Sequence, residues 1–424
     1  MKNSVSLPRT VLYVCALALA CAPHVPAQRL ARASAPEPPR VFLADARALA
    51  ETRRRILSGD KSFGSPLRRL EEDAREAMGA GPFSVTTKAA VPPSGDRHDY
   101  MSQAPYFWPD PKRPGGLPYV RRDGERNPEI NSITDHRELD GMVAAVSTLA
   151  LAYYLKGDEA YATKAAGLLR AWFIEPATRM NPNLEYAQYV PGVNTGRGIG
   201  LIETRGLTRV VDAVGLLAGS KAWTEKDRRG VEDWFAKFLT WMLESRNGRE
   251  EAAAKNNHGT IYDVQVVSYA LLLGRTELAR RVLEEARRKR VAAQVEPDGR
   301  QPLELERTRA WGYSVMNLEG LLTLAELGER VGVDLWGYQT ADGRGIRRAL
   351  EYLYPFAAGE AKWPHRQLGE WEPETLFPLM RRAAARYTDE RFKALMKKVP
   401  AADPAGRELL LMKEELTTET RRHG

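Results

Sequence analysis

The chain has 424 residues, which is long enough for one large domain with a sizeable core. Hydrophobic residues make up 43% of it and charged residues 28%, a balance that excludes an intrinsically disordered protein. The formal net charge of +8 suits an acidic polymer as partner, and we expect no nucleic acid because no nucleic-acid-binding motif accompanies the charge.

The N-terminus has the features of a secretory signal. Lys2 and Arg9 supply the positive charge before an apolar stretch of residues 11–22. The residues that follow it, up to Ala27, offer a cleavage site after Ala27. We therefore expect residues 1–27 to be a signal peptide and the chain to be periplasmic or secreted. Lipid attachment at Cys21 is the alternative. The apolar stretch is too short for a membrane span and no later segment qualifies, so we do not expect an integral membrane protein.

Both cysteines of the chain, Cys15 and Cys21, lie in this signal region. The mature chain therefore has no disulfide, no cysteine nucleophile and no thiolate metal site. Histidine-based zinc motifs and phosphate-binding loops are also missing from the sequence, and we expect no cofactor. Removal of the signal takes away two basic residues and leaves a net charge of 8 − 2 = +6.

Helical patterns dominate the rest of the sequence. Residues 28–40 read as a flexible tether, helical periodicity begins near Val41, and residues 80–135 form a long ordered loop region rich in proline and glycine. The predicted helices that follow are Leu139–Leu155, Tyr161–Trp172, Ile202–Leu217, Glu225–Glu244, Thr260–Leu273, Glu277–Arg287, Leu303–Leu327, Gly345–Tyr354, Pro373–Arg386 and Glu390–Lys398.

Short turns join these helices into successive hairpins. This pattern predicts an all-α fold, an α/α toroid built as an incomplete barrel of helical hairpins, with residues 41–424 as a single domain. A repeat solenoid is the alternative, but the hairpins lack a fixed period with matching signature residues. Loops at one end of such a barrel form a cleft, where we expect the functional residues.

A polar run opens one of the apolar helices. Asn256, Asn257 and His258 follow one another there. Helix capping accounts for one asparagine, but not for two that are followed by a histidine. Because histidine titrates near neutrality, the run favours proton transfer over a purely structural role.

A second group of polar residues opens the helix around Tyr313. At about 100° per residue Arg309 and Tyr313 share a face, and Arg307 lies close by in sequence. An adjacent cation favours the phenolate, which predicts a lowered pKa for Tyr313 and a role as acid or base. The alternative is an aromatic core residue beside solvated charges.

Two aromatic loops resemble carbohydrate-binding surfaces. Gln188, Tyr189 and Arg197 lie in a glycine-rich loop suited to stacking on sugars and hydrogen bonding to them, and Arg205 on the following helix is predicted to reach the same cleft. Earlier in the chain, Tyr106 and Trp108 form a candidate sugar platform, or alternatively pin a loop as buried aromatics. His136 is either a second proton carrier or simply a residue at the start of a helix.

The Asn256–His258 run, the downstream Arg-to-Tyr pair and the aromatic segment 104–111 together resemble the alginate lyase superfamily over roughly residues 90–380. The resemblance implies an α/α-barrel polysaccharide lyase. It implies that His258 is the catalytic histidine, that Asn257 helps to neutralise the substrate carboxylate, and that Tyr313 is the catalytic tyrosine. Arg307, or else Arg309, would be the accompanying arginine. Asn256 and Tyr262 join the predicted substrate-binding residues.

The chain departs from the family pattern in two places. The Arg-to-Tyr spacing is one residue shorter, and Gly259–Tyr262 replaces a more aromatic continuation. These departures indicate a divergent branch that acts on alginate or a related uronan, with glucuronan or a mixed uronan as the alternative substrate.

The predicted reaction is β-elimination on a uronic-acid polymer. His258 is the candidate base, Tyr313 donates a proton to the departing O4, and Tyr313 is the alternative base when base and acid lie on one face of the sugar. The competing hypotheses are a glycoside hydrolase on the same toroid, which would use two carboxylates, a non-catalytic carbohydrate-binding protein, and a helical scaffold for protein partners. The scaffold would not need the Asn256–His258 run.

Overall fold

The computed structural model describes Met1 and residues 38–411. Apart from Met1, the predicted signal peptide of residues 1–27, the lipid-attachment alternative at Cys21 and most of the tether lie outside the described residues. The helices are α1 Ala46–Leu57, α2 Gly64–Met78, α3 Asp135–Lys156, α4 Glu159–Phe173, α5 Leu207–Leu216, α6 Glu225–Glu244, α7 Arg246–Ala252, α8 Asn257–Leu272, α9 Thr276–Ala286, α10 Pro302–Leu305, α11 Ala310–Glu329, α12 Ile346–Ala357, α13 Phe377–Ala384 and α14 Glu390–Met396. The strands are β1 Met101–Gln103, β2 Phe107–Trp108, β3 Val120–Arg121 and β4 Tyr186–Tyr189.

Local sequence signals set several helix ends. Gly157 adopts a positive φ of 77° and ends α3, and the carboxylate of Asp158 then accepts the Ala160 N–H at the start of α4. At α6, Thr224 and Asp227 form a reciprocal capping box. The predicted hairpin turn after α3 and the predicted start of α6 are therefore confirmed.

Four helices form an inner ring. Helices α3, α5, α8 and α11 pack in succession, while α4, α6 and α9 pack on their outer side. Helix α8 is buried around almost its whole circumference, whereas α9 is strongly amphipathic and exposes one face. An apolar helix between an inner space and an outer layer is the pattern of an α/α toroid, and the predicted fold class is confirmed.

The ring encloses a central cavity of about 880 Å³. Its wall comes from the inner helices and from α13, and neither His258 nor Tyr313 lines it. Arg205 lies on this wall together with Arg209 and Asp140. Arg205 thus lines the central cavity, and its predicted reach into the cleft with the glycine-rich loop stays a prediction.

The long loop region is anchored on the start of α3 by a buried ion pair. The Lys88 Nζ lies 3.0 Å from the Asp135 Oδ2, and both side chains are 0% exposed. The same ammonium group also donates to the backbone carbonyls of Val85, Arg97 and Asp99. Burial lowers the pKa of Lys88 and raises the pKa of Asp135 to about 6.

The loop region adds two small sheets over this end of the ring. Strand β1 pairs in parallel with β4, and β2 pairs antiparallel with β3. The Met101 N–H donates to Asp135, which opens α3. These contacts hold the loops above the first turns of the inner helices.

The predicted continuous helix Leu303–Leu327 is wrong, because the chain breaks between α10 and α11. In the break the Thr308 N–H donates to the Asp123 carboxylate, and the Ala310 N–H donates to the Arg366 carbonyl. These distant partners replace the hydrogen bonds of a continuing helix, and local periodicity does not reveal them. The predicted helix Ile202–Leu217 similarly begins as a 3₁₀ segment, Gly198–Gly206, before α5.

In the part of the chain that the structure describes, no helix is long and apolar enough to cross a membrane.

Candidate active site

A histidine–carboxylate pair opens helix α8. The Nδ1 of His258 lies 2.7 Å from Oε1 of Glu251, whose side chain is only 2% exposed. Glu251 lies on the short helix α7, which packs against α8. Because a carboxylate accepts hydrogen bonds, this contact places a proton on Nδ1 and leaves the Nε2 lone pair free. The pair therefore prepares His258 to accept a proton.

A second buried carboxylate holds the residue before this histidine. Asn257 is 0% exposed, and its backbone N–H and its side-chain Nδ2 each donate to Glu304 at 2.6 Å. Glu304 thus takes over the capping of α8, and the Asn256 side chain at the N-cap position makes no capping bond. The Asn257 amide thus gives one hydrogen bond to Glu304, and the predicted contact of Asn257 with a substrate carboxylate stays a prediction.

Tyr313 lies in the first turn of α11, and its hydroxyl donates to the Tyr106 hydroxyl at 2.9 Å. The Arg307 guanidinium lies over the Tyr313 ring, 3.8 Å from its centroid. Burial, together with the bond to Tyr106, raises the pKa of Tyr313 above the ordinary tyrosine value, although the charge of Arg307 opposes the rise. The predicted lowering of this pKa is therefore wrong, and Tyr313 is held as a neutral phenol.

The arginine on the ring is itself paired. Arg307 Nη2 donates to Asp123 Oδ1 at 2.8 Å, and Arg307 Nε also donates to the same carboxylate. Although burial alone would raise it, the hydrogen bonds from Arg307 and Thr308 hold the pKa of Asp123 well below its usual range. Arg309 is exposed, and its backbone pairs with Gln367 rather than placing a cation on the Tyr313 ring.

The histidine and tyrosine groups converge through Glu304. Burial raises the pKa of this carboxyl, while hydrogen bonds from Asn257 and the charges of Arg307 and His258 act in the opposite direction. Glu304 therefore lies within electrostatic reach of both groups. Helices α8 and α11, which carry them, are neighbours in the inner ring. The structure thus brings His258 and Tyr313 to one end of the toroid.

The glycine-rich loop forms another wall of this site. Arg197 donates to the Gln188 side chain at 2.9 Å, and its guanidinium lies 5.0 Å from the centre of the Phe107 ring. The Tyr189 hydroxyl bonds only weakly to Gln103, at 3.4 Å. The predicted grouping of Gln188, Tyr189 and Arg197 is therefore a real cluster, and Phe107 links it to the loop that carries Tyr106.

The other predicted substrate-binding residues Tyr262, Trp108 and His136 each contact another residue of the protein. The Tyr262 hydroxyl donates to the Met242 carbonyl at 2.9 Å within the core, so the structure does not support substrate binding by this buried residue. Arg122 lies over the Trp108 ring at 5.2 Å and occupies one of its faces. His136 lies in the first turn of α3 with its Nε2 3.5 Å from Asp140, as expected of a residue at a helix start.

Sequence reasoning missed the carboxylates that hold the site together. Glu251, Glu304 and Asp123 position His258, Asn257 and Arg307 respectively. Acidic residues are frequent in this chain, and no local pattern distinguished these three from solvated ones. Helix α7 was also missed, because its seven residues are mostly polar and show no apolar periodicity.

Comparison with known proteins decides the family. The family model for alginate lyase matches residues 84–363, a range that holds every predicted catalytic and substrate-binding residue. The chain belongs to the alginate lyase family. It is thus a polysaccharide lyase, and the resemblance carried by the Asn256–His258 run and the aromatic segment is confirmed. This membership favours a lyase over the hydrolase, binding-protein and scaffold hypotheses.

Solved structures of alginate lyases share its architecture. An alginate lyase from Bacteroides ovatus is 40% identical, with a TM-score of 0.84, and the match covers 88% of this chain and 99% of that chain. Alginate lyase A1-III from Sphingomonas species A1 is 18% identical, with a TM-score of 0.54 over 90% of this chain and 98% of that one. A histidine-to-alanine variant of alginate lyase A1-III complexed with tetrasaccharide is 16% identical, with a TM-score of 0.58 over 88% and 95%. The two more distant matches support the fold alone, and no curated protein matches the chain.

Proposed function

We propose that this lyase cleaves alginate by β-elimination, with His258 as base and Tyr313 as acid. The observation that carries the proposal is the pairing, at one end of the toroid, of a histidine whose free nitrogen is Nε2 with a tyrosine held neutral. The Bacteroides ovatus relative, which matches 88% of this chain, is itself described as an alginate lyase.

The first step is removal of the C5 proton of a uronic acid residue. Glu251 accepts the Nδ1–H of His258 and fixes the ring orientation, so that Nε2 can take the proton. When the imidazole becomes protonated, the buried carboxylate of Glu251 stabilises the new positive charge. The carbon–hydrogen electrons then form the C4–C5 double bond as the C4–O4 bond breaks.

The second step is protonation of the leaving oxygen. Tyr313 remains a phenol because burial raises its pKa, so it has a proton to give to O4. The Tyr106 hydroxyl, 2.9 Å away, is placed to return a proton from solvent to the tyrosine oxygen. His258 loses its proton to solvent after the product departs, which restores the starting state.

The test is a panel of pure uronans. Purified protein mixed with polymannuronate, polyguluronate or glucuronan is followed by the ultraviolet absorbance of the conjugated product. We expect activity on the alginate polymers and a loss of about 100-fold to 10,000-fold in Tyr313→Phe, which removes only the acid. The matched control is Tyr262→Phe, whose hydroxyl lies in the core.

A near-normal rate in folded Tyr313→Phe, or activity on glucuronan alone, would contradict the proposal. We also propose export, on the basis of the basic and apolar features of residues 1–27. Protein expressed with this segment and recovered from the periplasm or medium should then begin at Gln28, and an uncleaved cytoplasmic product would contradict export.

A further inference from the structure

A second cavity lies at the start of helix α12, and neither His258 nor Tyr313 lines it. Its volume is about 450 Å³, which is within the range of small-molecule binding sites in proteins. The first two turns of α12, the loop before this helix and the residues around the start of α14 form its wall. We call it the α12 pocket, and its charged and aromatic lining residues include Arg347, Arg348, Glu351, Arg391, Tyr338 and Tyr387. The proposed reaction gives this pocket no role.

Three arginines surround one largely buried carboxylate in the α12 pocket. The Glu351 side chain, which is 10% exposed, lies 2.9 Å from Arg347 and 3.3 Å from Arg348. Arg391 approaches the same carboxylate to 3.4 Å. Beside the pocket, Asp389 pairs with Arg347 at 2.6 Å. Three guanidinium groups therefore face two carboxylates, which leaves a local charge of 3 − 2 = +1 and attracts an anion.

Two of these arginines keep most of their hydrogen-bond donors free of protein partners. Among the described residues, the Arg348 side chain donates one hydrogen bond, from Nη1 to Glu351, and Arg391 makes only its 3.4 Å contact with that carboxylate. Their side chains are 41% and 66% exposed. Because a guanidinium carries five N–H donors in a planar fork that matches a carboxylate, the pocket is suited to a ligand that bears one.

Aromatic side chains form another part of the pocket wall. Tyr338 and Tyr387 are both half-buried, and the Tyr387 hydroxyl donates to the Trp336 carbonyl at 3.0 Å. Trp336 lines the pocket as well as the central cavity, and its buried Nε1 has no hydrogen-bond partner among residues 38–411. A buried N–H without an acceptor is unfavourable, so a ligand oxygen that reached it would be stabilising. Just outside the pocket, Arg287 lies over the Tyr338 ring and bonds to the backbone of Asp334, so their charges offset each other.

We propose that the α12 pocket is a second saccharide-binding site, which holds a uronic acid residue of the polymer by its carboxylate. This inference rests on the proposed function, because the ligand is the polymer that the active site cleaves. Arg348 and Arg391 bind the carboxylate through their unpaired N–H groups. Tyr338 packs against an apolar face of the sugar ring, as aromatic rings do in carbohydrate sites.

The test counts bound ligands. Folded Tyr313→Phe, which leaves the oligosaccharide uncut, is titrated by calorimetry with a mannuronate tetrasaccharide. We expect two tetrasaccharides per chain, and one when Arg348→Gln and Arg391→Gln are added, because both donor forks are then lost. The added changes should leave the fold intact, since both side chains are exposed and Arg347 stays paired with Glu351. Cellotetraose, which has no carboxylate, should not occupy the second site.

The matched control is Arg229→Gln combined with Arg280→Gln on the same background. These exposed arginines of α6 and α9 each pair with one glutamate of their own helix, Glu225 and Glu277. The control removes the same two positive charges from the chain, and it should still bind two tetrasaccharides. It therefore separates the α12 pocket from the general attraction between a basic protein and a polyanion.

One tetrasaccharide per chain before the pocket is altered, or two after Arg348→Gln and Arg391→Gln, would overturn the assignment. Displacement of the second tetrasaccharide by an equimolar amount of inorganic phosphate would also overturn it, because the pocket would then recognise any anion. If the combined variant does not fold, Arg391→Gln alone decides, and an unchanged affinity at the second site rejects the proposal. Wild-type inactivity on alginate would reject the proposed function, whereas the number of bound tetrasaccharides decides the pocket independently of catalysis.

Discussion

At the scale of single residues, the site depends on where two protons sit. Glu251 places a proton on Nδ1 of His258, and burial keeps the proton on Tyr313. The sequence predicted His258 because helix capping does not account for a histidine after two asparagines, and it predicted Tyr313 because arginines lie close to it in sequence. It did not identify Glu251 or Glu304, since both are distant in sequence and chemically ordinary. It also gave the wrong direction for the Tyr313 pKa, because a single adjacent cation is visible in sequence whereas burial is not.

The raised pKa of Tyr313 predicts an unusual alkaline side of the pH profile. An acid must keep its proton, and a folded-state pKa above the ordinary value of about 10 keeps Tyr313 protonated through that range. The kcat/KM on alginate should therefore show no loss from tyrosine ionisation between about pH 8 and pH 10, and the tyrosinate absorbance of wild type minus Tyr313→Phe should stay flat. A rate that rises tenfold per pH unit would instead assign Tyr313 as the base.

At the scale of elements, hydrogen bonds to distant residues set the helix ends that sequence periodicity does not determine. The hairpins and their turns were predictable because glycine stops and threonine or aspartate caps are local signals. The break between α10 and α11 was not, since Asp123 and Arg366 supply its partners from other parts of the chain. That break turns Arg307 back over Tyr313, so the element that was mispredicted is the one that shapes the site.

The buried Lys88–Asp135 pair gives a stability prediction at this scale. Lys88→Met leaves Asp135 without its cation at a fully buried position, and the free energy of unfolding should fall by about 3–5 kcal/mol. Denaturant unfolding measures the change. The control Lys237→Met removes an exposed partner of Asp233 and should cost less than about 1 kcal/mol. Equal effects of the two variants would show that the pair does not hold the loop region on α3.

At the scale of the whole molecule, the toroid was predictable from the succession of apolar and amphipathic helices joined by short turns. The inner ring explains why the two candidate residues lie near each other, because the first turns of α8 and α11 carry His258 and Tyr313 at one end of it. What the sequence did not reveal is the central cavity, which Arg205 lines. A cavity is a property of packed helices together and leaves no pattern in any one of them.

The most direct test of the mechanism is the rate of double-bond formation on alginate by His258→Ala, set beside His365→Ala. His365 is also half-buried, and its hydrogen bond is to the Tyr352 hydroxyl of α12 at 2.9 Å rather than to a carboxylate such as Glu251. Loss of the base should lower kcat by about 100-fold to 10,000-fold in folded His258→Ala, while His365→Ala keeps the wild-type rate. A folded His258→Ala that forms the unsaturated product at nearly the wild-type rate would contradict proton abstraction by this imidazole.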